Sequence, residues 1–273
     1  MTAIQPARLK EQASQLAAIY ECPSLFIQQL HELLHLYGRH VFRTGKTRPA
    51  SILPAYKVPQ PVLRKIELEL SPYLKINCQG SLALCDALWR ENYYEFKMLA
   101  AKLIGQIPVD NPDLVLNRIH TWSLEVKETT INEALFKFGL EYLIKKDSNG
   151  IINRTSTWLY NPQLLDNIFG LRLILAIVEL ESFQNLPQVY RLITPFVRSA
   201  PTTLHSYIVE ILEILIQRSP SETAYFLQQN IELSFDKDTA WFIRRCISKF
   251  PPDIQNNLRL TMRNVEKTLR IEC

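Results

Sequence analysis

The sequence predicts an all-α protein, a right-handed superhelical solenoid of antiparallel helix pairs. Three observations carry that expectation. Apolar residues recur at i, i+3, i+4 and i+7 in nearly every window of the 273 residues, the spacing of one face of an α-helix. Only 7 glycines stand against 16 prolines, and the alternating Val/Ile/Thr runs of half-buried strands are missing. Breaks between the windows repeat one signature. Asn111-Pro112, Asn161-Pro162, Ala200-Pro201, Ser219-Pro220 and Pro251-Pro252 each put proline at or near a first helical turn, where its missing N–H goes unused.

Taken in order, helical windows are expected at 6–20 and 23–43, then an aperiodic loop at 44–58 (TGKTRPASILPAYKV), then a helix at 60–70. The stripe Leu82, Cys85, Leu88, Trp89, Phe96, Leu99, Ala100, Leu103 and Ile104 spans 82–104, split in two by Glu91-Asn92. A helix is expected over 124–146, with Leu124, Ile131, Leu135, Phe138 and Tyr142 as its core stripe and Lys145–Gly150 as its end and turn. Further windows lie at 162–180, 186–198, 202–217, 220–230, 237–249 and 252–270. The one at 162–180 is apolar almost all round and belongs in the centre of a core. Two helices per unit, recurring at roughly 40–50 residues, fit stacking of the HEAT or ARM type, in which each pair buries its face against its neighbours. A single domain over 1–273 is expected, with N-terminal helices over 1–45, the loop 44–58 and repeats over 59–273.

Composition bounds function loosely. A formal net charge of +4 is too small to identify a nucleic-acid partner without knowing where the charges lie. Five cysteines without a C-x-x-C pair read as reduced thiols, and no apolar leader or membrane-length run stands out, so a cytoplasmic monomer without membrane contact is expected. No glycine-rich phosphate loop or G-x-S-x-G elbow is present, and no cofactor or metal is expected. His31-Glu32-Leu33-Leu34-His35 matches H-E-x-x-H, and Gly38 with His40 nearly extends it. The third histidine falls one position early, and no sheet precedes the helix, so an amphipathic helix with chance histidines is the better account.

The segment 237–250 (KDTAWFIRRCISKF) carries the clearest functional signal. At 100° per residue Phe242, Ile243, Cys246, Ile247 and Phe250 form one apolar arc, while Lys237, Arg244, Arg245, Ser248 and Lys249 occupy the other with Trp241 among them. A solvated basic face is the plain alternative. An indole among four cations favours DNA, since it can stack on a base or sugar while the cations neutralise phosphates. Trp122, Val126, Glu133 and Lys137 point away from the 124–146 stripe, so Trp122 is either a packed indole near a helix start or a second stacking surface. Arg172 is the lone cation of its apolar helix and needs a partner, either a carboxylate such as Asp166 or Glu179 or a DNA phosphate.

Tyr56–Ile66 (YKVPQPVLRKI) resembles the "GV..P.lR.ia" element, and Leu88–Ala100 (LWRENYYEFKMLA) the "LW....hE.r..A" helix, of the DNA alkylation repair (AlkD-like) family of HEAT-repeat glycosylases. Ile119–Ser123 resembles its "SWD..D" helix start, Phe169–Arg172 its "W.RR" segment and Trp241–Ile247 its "FirKAig" helix, in the same order. The resemblance runs from about residue 56 to the C-terminus. It implies a concave basic groove for duplex DNA, alkylated or distorted, and in active members excision of cationic 3- or 7-alkylated purines. The family's catalytic aspartate falls on Val126, its second groove tryptophan on Lys249, and its catalytic-site arginine on Arg172 or Leu173. Glu125 stands one residue early, about 100° round a helix, and is a weak substitute for that aspartate. Expected from this is a DNA-binding relative without glycosylase activity, contacting DNA through Trp122, Lys137, Arg172, Lys237, Trp241, Arg244, Arg245 and Lys249. The runner-up is a helical-repeat scaffold for a protein partner.

Overall fold

The computed structural model describes residues 5–38, 52–233 and 237–272, and every regular element among them is a helix. In chain order these are α1 (Pro6–Ala18), α2 (Pro23–Gly38), α3 (Gln60–Leu70), α4 (Cys78–Arg90), α5 (Tyr94–Ile104), α6 (Asp113–Glu125) and α7 (Thr129–Lys137). There follow α8 (Glu141–Leu159), α9 (Leu164–Val178), α10 (Leu186–Arg198), α11 (His205–Arg218), α12 (Pro220–Leu233), α13 (Lys237–Cys246) and α14 (Pro252–Glu272). The proline signature marks true starts. Pro220 and Pro252 open α12 and α14, Pro112 caps α6, and Pro162 precedes the capping Gln163 of α9. Asn77 caps α4 by accepting the Gly80 N–H at 3.0 Å.

The helices gather into two compact units, Met1–Asp147 and Ser148–Cys273. In the first, α1 packs on α3, α2 on α4, α4 on α5, and α5 and α6 both on α7. In the second, α9 packs on α11, α11 on α12, α12 on α14, and α10 on α13. Apart from α8, each helix packs chiefly against helices one to three places along the chain. No helix among the described residues is long and apolar enough to cross a membrane.

The expected helix over 124–146 is three pieces. α6 ends at Glu125, Val126 takes extended angles, α7 runs nine residues, and α8 begins at Glu141. Leu124, expected in the core, is 46% exposed, because it lies in the last turn of α6 instead of opening the next helix. The turn expected at Lys145–Gly150 is a kink inside α8, where Asp147 leaves helical angles (φ −155°, ψ 77°). Helices over 113–125 and 151–159 were not among the sequence windows. The last three residues of the 237–249 window form a 3₁₀ turn, not α-helix. Residues 39–43 of the second window, 44–51 of the loop, His40 and Cys273 lie outside the described residues.

Residues 52–58 are non-helical, as expected, and a buried carboxyl holds them in place. Glu95, in the first turn of α5 and 1% exposed, accepts the Tyr56 N–H at 3.0 Å and the Lys57 N–H at 2.8 Å. The Tyr94 N–H donates to the Pro54 carbonyl at 2.9 Å. Lys57 itself sits at φ 56°, the left-handed region that suits glycine. Replacing it with glycine is therefore expected to stabilise the fold by about 1 kcal/mol, because the side chain is exposed and only its backbone strain is removed. Chemical denaturation of Lys57→Gly beside the parent checks this, and a loss of stability would mean that Lys57 is not strained.

Candidate nucleic-acid interface and a tryptophan pocket

Helix α13 divides as its sequence requires. Ala240, Phe242, Ile243 and Cys246 are buried, while Lys237, Trp241, Arg244 and Arg245 are exposed, as are Ser248 and Lys249 in the 3₁₀ turn that follows. Trp241 is 41% exposed although its ring meets His205 at 4.8 Å and Phe242 edge-on at 5.2 Å. These two rings fix the indole's attitude and leave part of its surface open. Lys249 is 3.6 Å from Glu213 on the neighbouring α11, with half of its side chain still in solvent. Burial pushes the Cys246 thiol up to about 12, so this cysteine is a packing residue beneath the basic face and not a nucleophile.

In the first unit a pocket of about 510 Å³ opens beside α4, α5 and α6, lined by Asp86, Trp89, Arg90, Lys97, Asn117, Arg118, Thr121, Trp122 and Glu125. Trp89 and Trp122 lie nearly parallel, 8° apart with ring centroids at 4.6 Å. The Lys97 Nζ stands 4.5 Å from the Trp89 ring centre and donates to the Trp89 carbonyl at 2.5 Å. The Lys97 ammonium is thus within cation–π reach of an indole that is itself stacked on Trp122. The Trp89 Nε1–H donates to Glu125 Oε2 at 2.9 Å. Arg118 grips Asp86 with two bonds of 2.9 and 3.0 Å and donates to the Leu114 carbonyl at 2.7 Å. Desolvation lowers the Lys97 pKa against the pull of Glu125 and Glu91.

Other residues singled out in the sequence fall as follows. Trp122, expected off the core face, is 5% exposed in the last turn of α6, on the buried side with Val115 and Ile119. Lys137 is exposed at the end of α7, its Nζ 5.7 Å from the Phe138 ring centre. Arg172 is half-buried within α9. The first histidine of the H-E-x-x-H motif, His31, contacts the Tyr56 hydroxyl at 2.7 Å and Glu91 Oε2 at 3.2 Å through its two ring nitrogens. Gly38 of the same stretch is explained by space, since a Cβ there would come within 2.4 Å of the Tyr56 carbonyl oxygen. Among the described residues no three His, Cys, Asp or Glu side chains gather as a metal site would require.

A family model described as DNA alkylation repair enzyme matches residues 44–250. The chain belongs to the DNA alkylation repair enzyme family. No curated protein and no solved structure matches it. Family membership supports a role related to DNA repair. In this family member the motif residues also find their structural reasons. Lys57 takes the glycine slot of the "GV" element at a glycine-like φ, and the motif glutamate, Glu95, is the carboxyl that fixes that element. Trp89 of the "LW" pair stacks on Trp122. The half-buried Val126 follows the last residue of α6, and Glu125 before it lines the pocket. Trp89 and Lys97 were missed as site residues because both fall within an amphipathic helix pattern.

Proposed function

We propose that this chain is a DNA-binding member of the DNA alkylation repair family that holds duplex DNA on the basic face of α13, without the aspartate-dependent excision of its active relatives. The observation that carries this is the exposure of Trp241 together with Lys237, Arg244 and Arg245 on α13 and Lys249 in the 3₁₀ turn that follows it, while the apolar half of the helix is buried. Four cations can neutralise phosphates, and the open indole can stack on a base or a sugar. Val126 supports the second half, because an isopropyl group can neither stabilise a cationic sugar nor orient water. Lys137 and Arg172 are proposed as further phosphate contacts. Trp122 is not proposed to stack on DNA directly, since Trp89 already covers it. The superhelical stacking of helix pairs, the monomeric state and the cytoplasmic setting belong to the same proposal.

Titrating duplex DNA against salt tests it. Six phosphate contacts give a slope of about −5.4 in log affinity against log salt, a loss on the order of 10³-fold between roughly 50 and 200 mM. Arg244→Glu with Arg245→Glu is expected to flatten that slope by about 2, and Trp241→Ala to weaken binding by about 1–3 kcal/mol through lost stacking. A folded protein that ignores DNA at low salt would favour the scaffold for a protein partner instead. Release of 7-methylguanine from alkylated DNA at enzyme-like rates would overturn the missing excision.

A further inference from the structure

We propose that Lys97 is an imine-forming amine, and that the pocket beside Trp89 and Trp122 receives the ring-opened aldehyde of an abasic deoxyribose in DNA. The DNA origin of that aldehyde rests on the duplex binding proposed above; the amine chemistry rests on the pocket alone. Lys65, Lys102, Lys145, Lys146 and Lys249 each have a carboxylate within 4 Å that holds the ammonium form. Lys97 has none that close among the described residues, and Glu125 and Glu91, which favour its ammonium form from farther off, are outweighed by burial. Its partners are a neutral carbonyl at 2.5 Å and a ring face at 4.5 Å, in a pocket of about 510 Å³ that is open to a sugar. Burial lowers its pKa, so a larger share of this amine is neutral near pH 7 than on a surface lysine. Arg90, Asn117 and Thr121 stand exposed at the rim, where donors can meet the flanking phosphates. Arg118 is already engaged by Asp86.

The chemistry balances without an outside oxidant or reductant. The neutral ε-amine adds to the C1′ aldehyde, and the carbinolamine hydroxyl takes up a proton from solvent and leaves as water, giving a protonated imine. The C2′ proton becomes acidic beside it. Glu125, held by the Trp89 indole N–H and facing the same pocket, takes that proton. The electron pair forms the C2′–C3′ double bond as the C3′–O bond breaks, and the 3′-phosphate leaves with its electrons. Water then hydrolyses the imine, freeing Lys97 and an unsaturated aldehyde.

Borohydride reduction of the imine is the test, run on the full chain with two probes, 2-deoxyribose 5-phosphate and a duplex oligonucleotide holding one abasic site. Expected are a covalent adduct mapped to Lys97 with both probes, nicking of the duplex when borohydride is omitted, and loss of both in Lys97→Arg and Lys97→Met. Arginine keeps the charge and the hydrogen bond but cannot form the imine, so a purely structural role for Lys97 would leave its adduct yield unmoved. Trapping should also rise with pH through a range below that of ordinary lysines. Adducts scattered over other amines, or untouched by Lys97→Arg, would overturn the proposal. If the sugar phosphate is trapped at Lys97 while the duplex is not bound, the amine stands and the DNA-binding proposal falls. Salt-dependent duplex binding with neither probe trapped at Lys97 gives the reverse.

Discussion

Glu95→Ala is expected to destabilise the first unit by about 3 kcal/mol, because it removes the two charge-assisted bonds that fix residues 52–58. Tyr56 and Lys57 would lose their acceptor in a position where water replaces it only in part, since the carboxyl is 1% exposed. For a unit of this size the loss corresponds to a fall of roughly 10 °C in melting temperature. Glu95→Gln is the informative companion. Its amide oxygen can serve one N–H, but its NH₂ must face the other donor, so it should fall between the parent and the alanine variant. Hydrogen exchange at the Tyr56 and Lys57 amides separates a local release of the segment from unfolding of the whole unit. Protection unchanged in Glu95→Ala would show that the segment is held by the Pro54–Tyr94 bond and by Ile52, whose N–H reaches Glu128 at 2.8 Å, and not by this carboxyl.

The helical fold was legible because burial follows a 3.6-residue period, and α13 is the clearest instance. Phe242, Ile243 and Cys246 must turn inward together, which sends Trp241, Arg244 and Arg245 outward whatever they pack against. Trp122 shows how the same reasoning fails. Its face was assigned from a stripe beginning at Leu124, but its helix begins at Asp113, and in that frame Val115, Ile119 and Trp122 form the buried row. The break at Val126-Lys127-Glu128 holds neither glycine nor proline, so nothing in the residues announced a change of phase. Contacts between helices were beyond periodicity altogether. Glu95 looks like an ordinary first-turn acid, and only the fold reveals that the two amide groups it accepts lie 38 and 39 residues upstream. The tryptophan pocket is hidden for the same reason, since it joins the end of α4 to the end of α6 across α5.

Gly105→Ala is expected to be the most damaging small substitution in the first unit. Gly105 follows α5 at an ordinary φ of −76°, so its need for glycine is one of space and not of backbone freedom. A Cβ there would lie 1.8 Å from the Phe138 carbonyl oxygen and 2.7 Å from its carbon, both backbone atoms at the end of α7. The opposing Gly139 is also tight, its Cβ position 2.5 Å from the Leu135 oxygen, and the Tyr142 N–H donates to the Gly105 carbonyl at 2.9 Å. Neither backbone can yield alone. Adding one methyl must separate α5 from the α7–α8 junction and break that hydrogen bond, a loss of about 3 kcal/mol or more. Gly80→Ala provides the contrast, because its Cβ meets the side-chain nitrogen of Asn77 at 2.9 Å and a cap can rotate away for about 1 kcal/mol. Melting temperatures of the two variants should therefore differ by several degrees, with Gly105→Ala the lower. An unchanged melting temperature for Gly105→Ala would mean that α5 and α7 do not meet backbone to backbone. Because α5 also carries Lys97 and Glu95, that outcome would loosen the wall on which both the pocket and the 52–58 segment are built.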